Sequence, residues 1–163
     1  MRPKIRIGYG FDVHKLEKGE KFLLGGVEIN HHKGPFGHSD ADVLIHVICD
    51  AILGAADLRD IGFHFSDKDP QYKGIDSKIL LKRVMILIER EGFGIGNIDA
   101  TVCLQQPKIS SYIPKIKACL SNIMNIDPCD VSVKATTTEK LGFVGKEEGI
   151  SAHCVALLYK SDQ

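Results

Sequence analysis

Tryptophan is absent from this 163-residue chain, and phenylalanine and tyrosine bring the aromatic share to only 7%. Platforms on which single-stranded bases stack are built from such side chains, so that function class is set aside. No block of like charge exists either, since 21 basic residues balance 21 acidic ones. That excludes a basic nucleic-acid groove and a polybasic membrane surface. The most apolar stretch, Val43 to Leu58, is interrupted by His46, Cys49, Asp50 and Asp57, which makes it too polar for a membrane span. The opening MRPKIRIGYG has no apolar core of the kind a secretory signal needs. Cysteine is present five times, but the residues lie far apart and never as a CxxC pair. An odd, scattered set argues against a disulfide framework and against a cysteine-zinc site, and predicts buried thiols in a reducing compartment.

What remains is one domain, residues 1–163, with room for a core. Ile5 to Val13 reads as a strand broken by Gly8 and Gly10. Phe22 to Leu24 and Val27 to Ile29 flank Gly25-Gly26, a hairpin signal. Residues 31–37 read as a loop. Ser39 or Asp40 is expected to cap a buried helix running to about Leu58. Residues 59–75 read as a long polar loop of the kind that often carries function. A helix follows over Ser77 to Glu91, stopped by Gly92, with Leu80, Val84, Leu87 and Ile88 as its stripe. Residues 98–104 alternate as a half-buried strand. A third helix starts near Ser110 or Ser111 and tolerates Pro114 in its first turn. Val131 to Ala135 and Ala152 to Tyr159 are strands. The order predicts an α+β fold, a mixed sheet with helices on one face. The uncovered face predicts oligomerisation.

Asp12 and His14 are two apart on a strand and so share a face. His46 lies on the buried helix, with Asp42 and Asp50 four residues to either side. An acid–imidazole–acid strip among apolar residues is costly unless it meets a charge. A metal would supply one, with Asp50 orienting His46, and a buried salt bridge is the alternative. Asp12, His14 and His46 form a two-histidine, one-carboxylate set that leaves a tetrahedral position open, the catalytic pattern for zinc. The same set suits non-haem iron. Gly37-His38-Ser39-Asp40 at a helix start could meet an anion or simply cap the helix. Ala135-Thr136-Thr137-Thr138-Glu139-Lys140 offers hydroxyls, amides and one carboxylate to phosphates and a magnesium ion, or is an ordinary polar turn.

Taken together, FDVH, GHSDADVLIH, DAILGAADLRDIG, QQPK and KATTTEKLGFVGKEEGI, in that order, resemble the 2-C-methyl-D-erythritol 2,4-cyclodiphosphate synthase family. The resemblance covers about Ile5 to Tyr159. It implies a cytidine diphosphate substrate, 4-diphosphocytidyl-2-C-methyl-D-erythritol 2-phosphate, closed to a cyclic diphosphate with loss of CMP. It also implies a homotrimer around a central axis with active sites at subunit boundaries. By the family pattern, zinc sits on Asp12, His14 and His46, and Glu139 holds magnesium or manganese. His38 and Thr137 would stabilise the transition state. Ser39, Asp60, Ile61, Gly62 and the segment Phe65, Ser66, Asp67, Lys68 and Asp69 would hold the erythritol and its phosphate, and Asp12, Val13, His14 and His38 would also contact the substrate. Leu104 to Ser110, with Lys108, Ile109 and Ser110 among them, and Thr136 would line the cytidine and its phosphate, and Ala135, Thr137, Thr138 and Glu139 would also contact the substrate. Phe143 and Lys146 would line an axial cavity that accepts isoprenoid diphosphates. Ser66 stands where many relatives have proline, and Lys146 stands where many have arginine, which keeps the charge but loses the bidentate fork. Two rivals remain at this level: a zinc phosphohydrolase, and a non-catalytic trimeric binder of isoprenoid diphosphates. No transit peptide is visible, so a bacterial cytoplasm is expected, with a processed plastid form as the alternative.

Overall fold

Two glycines decide how the main helix meets the sheet. In the computed structural model, β1 (Ile5–Lys18) runs unbroken through Gly8 and Gly10. Their role is close approach: a Cβ on Gly8 would sit 1.9 Å from the Ala51 carbonyl oxygen, and one on Gly10 2.1 Å from that of Val47. Both oxygens belong to α1 (Val43–Ala55), which therefore rests directly on the strand backbone. The structure describes residues 5–160. The ends of the expected domain and the first four residues of the opening segment lie outside them.

β2 (Leu23–Leu24) and β3 (Val27–Glu28) form the expected hairpin, with Gly25 and Gly26 at positive φ. The segment read as a loop contains β4 (Lys33–Phe36), which pairs with the end of β1 despite Pro35. Proline is tolerated there because β4 is an edge strand. The long loop holds α2 (Ile61–His64) and a 3-10 turn at Pro70–Tyr72. Then come α3 (Ser77–Arg90), β5 (Phe93–Cys103), α4 (Ile113–Met124), β6 (Val131–Thr136), the short α5 (Gly142–Gly145) and β7 (Gly149–Lys160). The sheet order is β4-β1-β7-β5-β6, antiparallel except for the β5–β6 pair, so the mixed α+β expectation holds.

α1 starts later than expected and is capped by Asp42, not by Ser39 or Asp40. Asp42 is fully buried, and its carboxylate accepts from the N–H groups of Gly25, Gly26 and Ile45. One side chain thus closes the helix and pins the hairpin to it. Burial pushes its pKa up, and those three donors pull against that.

One sheet face is covered by helices, while the other carries Ile7, Tyr9, Phe11, Val13 and Val155, all exposed. In its midst the Tyr9 hydroxyl meets His153 Nδ1 at 2.8 Å. Among the described residues no helix is long and apolar enough to cross a membrane.

Candidate active site

The alternation of β1 sends Asp12 and His14 to the helix-covered face, two and four residues beyond Gly10. Because α1 lies on the glycines, His46 on its first turns descends beside them. Asp12 Oδ2 is 3.0 Å from His14 Nε2 and 3.0 Å from His46 Nδ1, and the two nitrogens are 3.1 Å apart. Tetrahedral zinc with bonds of about 2.0–2.1 Å needs ligand atoms about 3.3–3.4 Å apart. The triangle is within a few tenths of an ångström of that shape, and two imidazoles with one carboxylate are the donors zinc takes. Among the described residues this is the one group of three or more His, Cys, Asp or Glu side chains close enough to hold a metal ion. The side chains are 28%, 16% and 13% exposed for Asp12, His14 and His46, so the triangle is sheltered yet reachable.

The electrostatics fit a cation. Burial pushes the Asp12 carboxyl up, but hydrogen bonds from His14 and His46 outweigh it and hold it well below the usual carboxylate range. Burial pushes His46 down, but Asp12 outweighs it and leaves the imidazole above its ordinary value.

Asp50 is not the orienter of His46. Its carboxylate accepts from the Ile61 N–H at 2.7 Å and so fixes the start of α2. Four residues along a helix put Asp50 on the right face, but one turn too far from the ring's outer nitrogen. That nitrogen, Nε2, meets the hydroxyls of Ser39 at 3.1 Å and Ser77 at 3.0 Å. Ser77 carried no signal in the sequence beyond opening a helix.

The Asp12–His14–His46 triangle borders a cleft of about 320 Å³ lined by His14, His38, Ser39, His46, Ile61, Gly62, Phe65 and Asp67, with Tyr72, Ile75 and Leu80 added by the fold. Asp60 lies behind it as the cap of α2, accepting from the Phe63 N–H. Ser66, Lys68 and Asp69 shape the following turns without lining the cleft. Val13 points to the open sheet face.

A second cleft of about 340 Å³ is lined by Leu104 to Ser110 and by Ala135, Thr136 and Thr137. Lys108, Ile109 and Ser110 meet there. Thr138 donates to the Leu141 carbonyl, and Glu139, at positive φ, accepts from Thr137 Oγ1 at 3.2 Å. Phe143 and Lys146 lie on and just after α5, beside the start of β7, away from both clefts. The clefts share no residue. His14 pairs with Ile150, Ser151 with Cys103, and Cys103 with Thr136, so both clefts open at the same end of the sheet. Their strand residues His14 and Thr136 stand three strand spacings apart, roughly 15 Å.

A sequence profile of the YgbB family matches residues 5–159. A Porphyromonas gingivalis protein named 2-C-methyl-D-erythritol 2,4-cyclodiphosphate synthase is 60% identical over 158 residues, covering 97% of this chain and 98% of that one. The solved structure of a bifunctional IspDF from Campylobacter jejuni superposes with TM-score 0.94 at 40% identity, covering 97% of this chain but only 43% of the larger one. A Plasmodium falciparum IspF in complex with CDP superposes with TM-score 0.86 at 37% identity, covering 99% and 100% of the two chains. The chain belongs to the YgbB family.

Proposed function

We propose that this protein converts 4-diphosphocytidyl-2-C-methyl-D-erythritol 2-phosphate to 2-C-methyl-D-erythritol 2,4-cyclodiphosphate and CMP, in the non-mevalonate route to isoprenoid precursors. The observation that carries this is the Asp12–His14–His46 triangle beside a cleft, in a chain 60% identical to a protein of that name. The 2-phosphate oxygen forms a bond to the β-phosphorus. The bond from that phosphorus to the bridging oxygen breaks, and CMP leaves with that oxygen. Nucleophile and leaving group belong to one molecule, so the protein needs no nucleophile of its own. Its task is to align them and neutralise charge.

The chain's residues divide that task. The cleft between His38 and Asp67 suits a small polyol phosphate, with Ile61, Gly62 and Phe65 along its walls. The cleft around Lys108 suits a cytidine nucleotide, in line with the CDP held by the Plasmodium falciparum structure. His38 and Thr137 act as donors to the charge that builds on the β-phosphate. Zinc, held by Asp12, His14 and His46, would polarise and fix a phosphoryl oxygen. Glu139 is an exposed carboxylate whose neighbour in hand is the Thr137 hydroxyl, which suits magnesium or manganese bound largely through substrate phosphates.

Two separate clefts on one chain favour a site completed by a neighbour, which gives the homotrimer a chemical purpose. The exposed apolar face of β1 and β7 supports the same assembly, since such a face is costly in water. An axial cavity there would offer Phe143 and Lys146 to an isoprenoid diphosphate. We place the enzyme in the bacterial cytoplasm.

The test follows the cytidyl substrate by phosphorus NMR with and without chelator. The expected product is a cyclic diphosphate whose formation stops on chelation. CMP with a linear phosphate would favour the hydrolase. No turnover, with indifference to His46→Ala, would favour the binding module.

A further inference from the structure

We infer that the pair formed by buried Ser77 and half-buried Asp40 positions the metal ligand His46, fixing the ring's outer nitrogen and tying it to the end of the loop that walls the substrate cleft. The functional consequence rests on the metal reading above. Ser77 is 0% exposed at the first residue of α3, and its Oγ is 3.0 Å from His46 Nε2. A serine hydroxyl has one proton, and a carboxylate can only accept. Ser77 Oγ–H donates to Asp40 Oδ1, and the Ser77 N–H donates to Asp40 Oδ2 at 2.9 Å. With its proton committed to Asp40, the hydroxyl offers His46 only lone pairs. In the neutral form that a metal takes, His46 therefore carries its proton on Nε2, which leaves the Nδ1 lone pair for the ion beside Asp12 and His14. This is the arrangement in which a carboxylate orients a ligand histidine, with one hydroxyl interposed.

Ser39 Oγ also lies 3.1 Å from Nε2 and accepts from the Ala41 N–H at 3.2 Å, but Ser39 lines the cleft and no carboxylate takes its proton. Asp40 further accepts from the Asp42 N–H, its own N–H donates to the Ile75 carbonyl, and the Gly74 N–H donates to the His38 carbonyl. The segment 38–42 and the chain entering α3 are thus stitched together around the ligand ring. Tyr72 and Ile75 of that loop line the cleft, so a shift there reaches His46 through Ser77.

Ser77→Ala removes the acceptor. Asp40→Asn, of the same shape, can turn its amide toward Ser77 and redirect the hydroxyl proton at His46. The His46 Nε2–H resonance is expected to be sharp and slow to exchange in the native protein, with or without zinc. In both variants it should broaden and exchange faster. Zinc affinity, read by competition with a chromophoric chelator, should fall about 10–100-fold. Should Ser77→Ala fail to fold, Asp40→Asn still decides the matter. An unchanged Nε2–H signal and unchanged zinc affinity in a folded variant would overturn the inference while leaving the metal reading intact. Conversely, a native protein that binds no zinc but loses the Nε2–H signal in the variants would sink the metal reading and keep the positioning role.

Discussion

A Cβ placed on Gly10 would lie 2.1 Å from the carbonyl oxygen of Val47. Gly10 is two residues before Asp12, and Val47 is the neighbour of His46. The depth at which α1 sits on β1 therefore sets whether imidazole and carboxylate meet. Gly10→Ala must push the helix outward, because the obstacle is backbone and cannot rotate away. Overpacking of this kind costs about 1–3 kcal/mol. Urea unfolding should show that loss, and zinc titration should show weakened binding. Native zinc affinity in this variant would mean that the triangle does not depend on the close approach.

Asp42 is the second structural hinge of the site. Replacing it with alanine leaves the Gly25, Gly26 and Ile45 N–H groups without their acceptor in a buried place. The expected loss is about 3 kcal/mol or more. That corresponds to a fall in Tm of roughly 6–12 °C for a chain this size. Differential scanning calorimetry measures it, and a shift of only a degree or so would contradict the capping role.

Metal binding should be linked to pH through His46 and Asp12. In the metal-free protein the Asp12 pKa is depressed from 3.8, so its contribution to stability is present above that value and lost as pH falls through the folded pKa. The His46 pKa is raised from 6.5, so its contribution is present below that value and lost as pH rises through the folded pKa. A metal ligand must be the neutral imidazole. Zinc therefore displaces a proton where His46 is charged, and affinity should climb as pH rises through the raised value. Calorimetric titration in buffers of different ionisation enthalpy should show proton release near pH ~6 and much less near pH ~9. Proton release equal at both would be inconsistent with His46 as a ligand.

The thiols should divide by burial. Burial pushes Cys154 up to about 12 and Cys49 well above its ordinary value, so neither forms a thiolate in the folded protein. Iodoacetamide at pH ~8 should leave both unmodified. Exposed Cys129 should react slowly, because its bond to Asp127 pushes its pKa up as well. Mass spectrometry of the labelled peptides reports the pattern. Rapid labelling of Cys49 would show that α1 does not stay on the sheet.

Much of this was legible in the residues. Period-two alternation placed Asp12 and His14 side by side, and the apolar surround of His46 marked a buried helix. Gly25-Gly26 declared a hairpin because tight turns need positive φ. These are local rules, and each acts over a few residues. Lys33 to Phe36 hid its edge strand behind Gly34 and Pro35, since pairing with β1 comes from sequence-distant residues.

What only the tertiary structure decided is partnership at long range. Gly8 and Gly10 looked like strand breakers, yet their lack of a Cβ is what lets α1 settle on β1. Asp50 shares a helix face with His46, but the Ile61 N–H claimed it first. Ser77, 31 residues from His46, became its partner because α3 docks its first turn against α1. The sequence by itself determined which donors the chain possesses and which face of each element they occupy. The packing of helix on strand determined which donors converge, because that depends on backbone approach distances that no local pattern encodes.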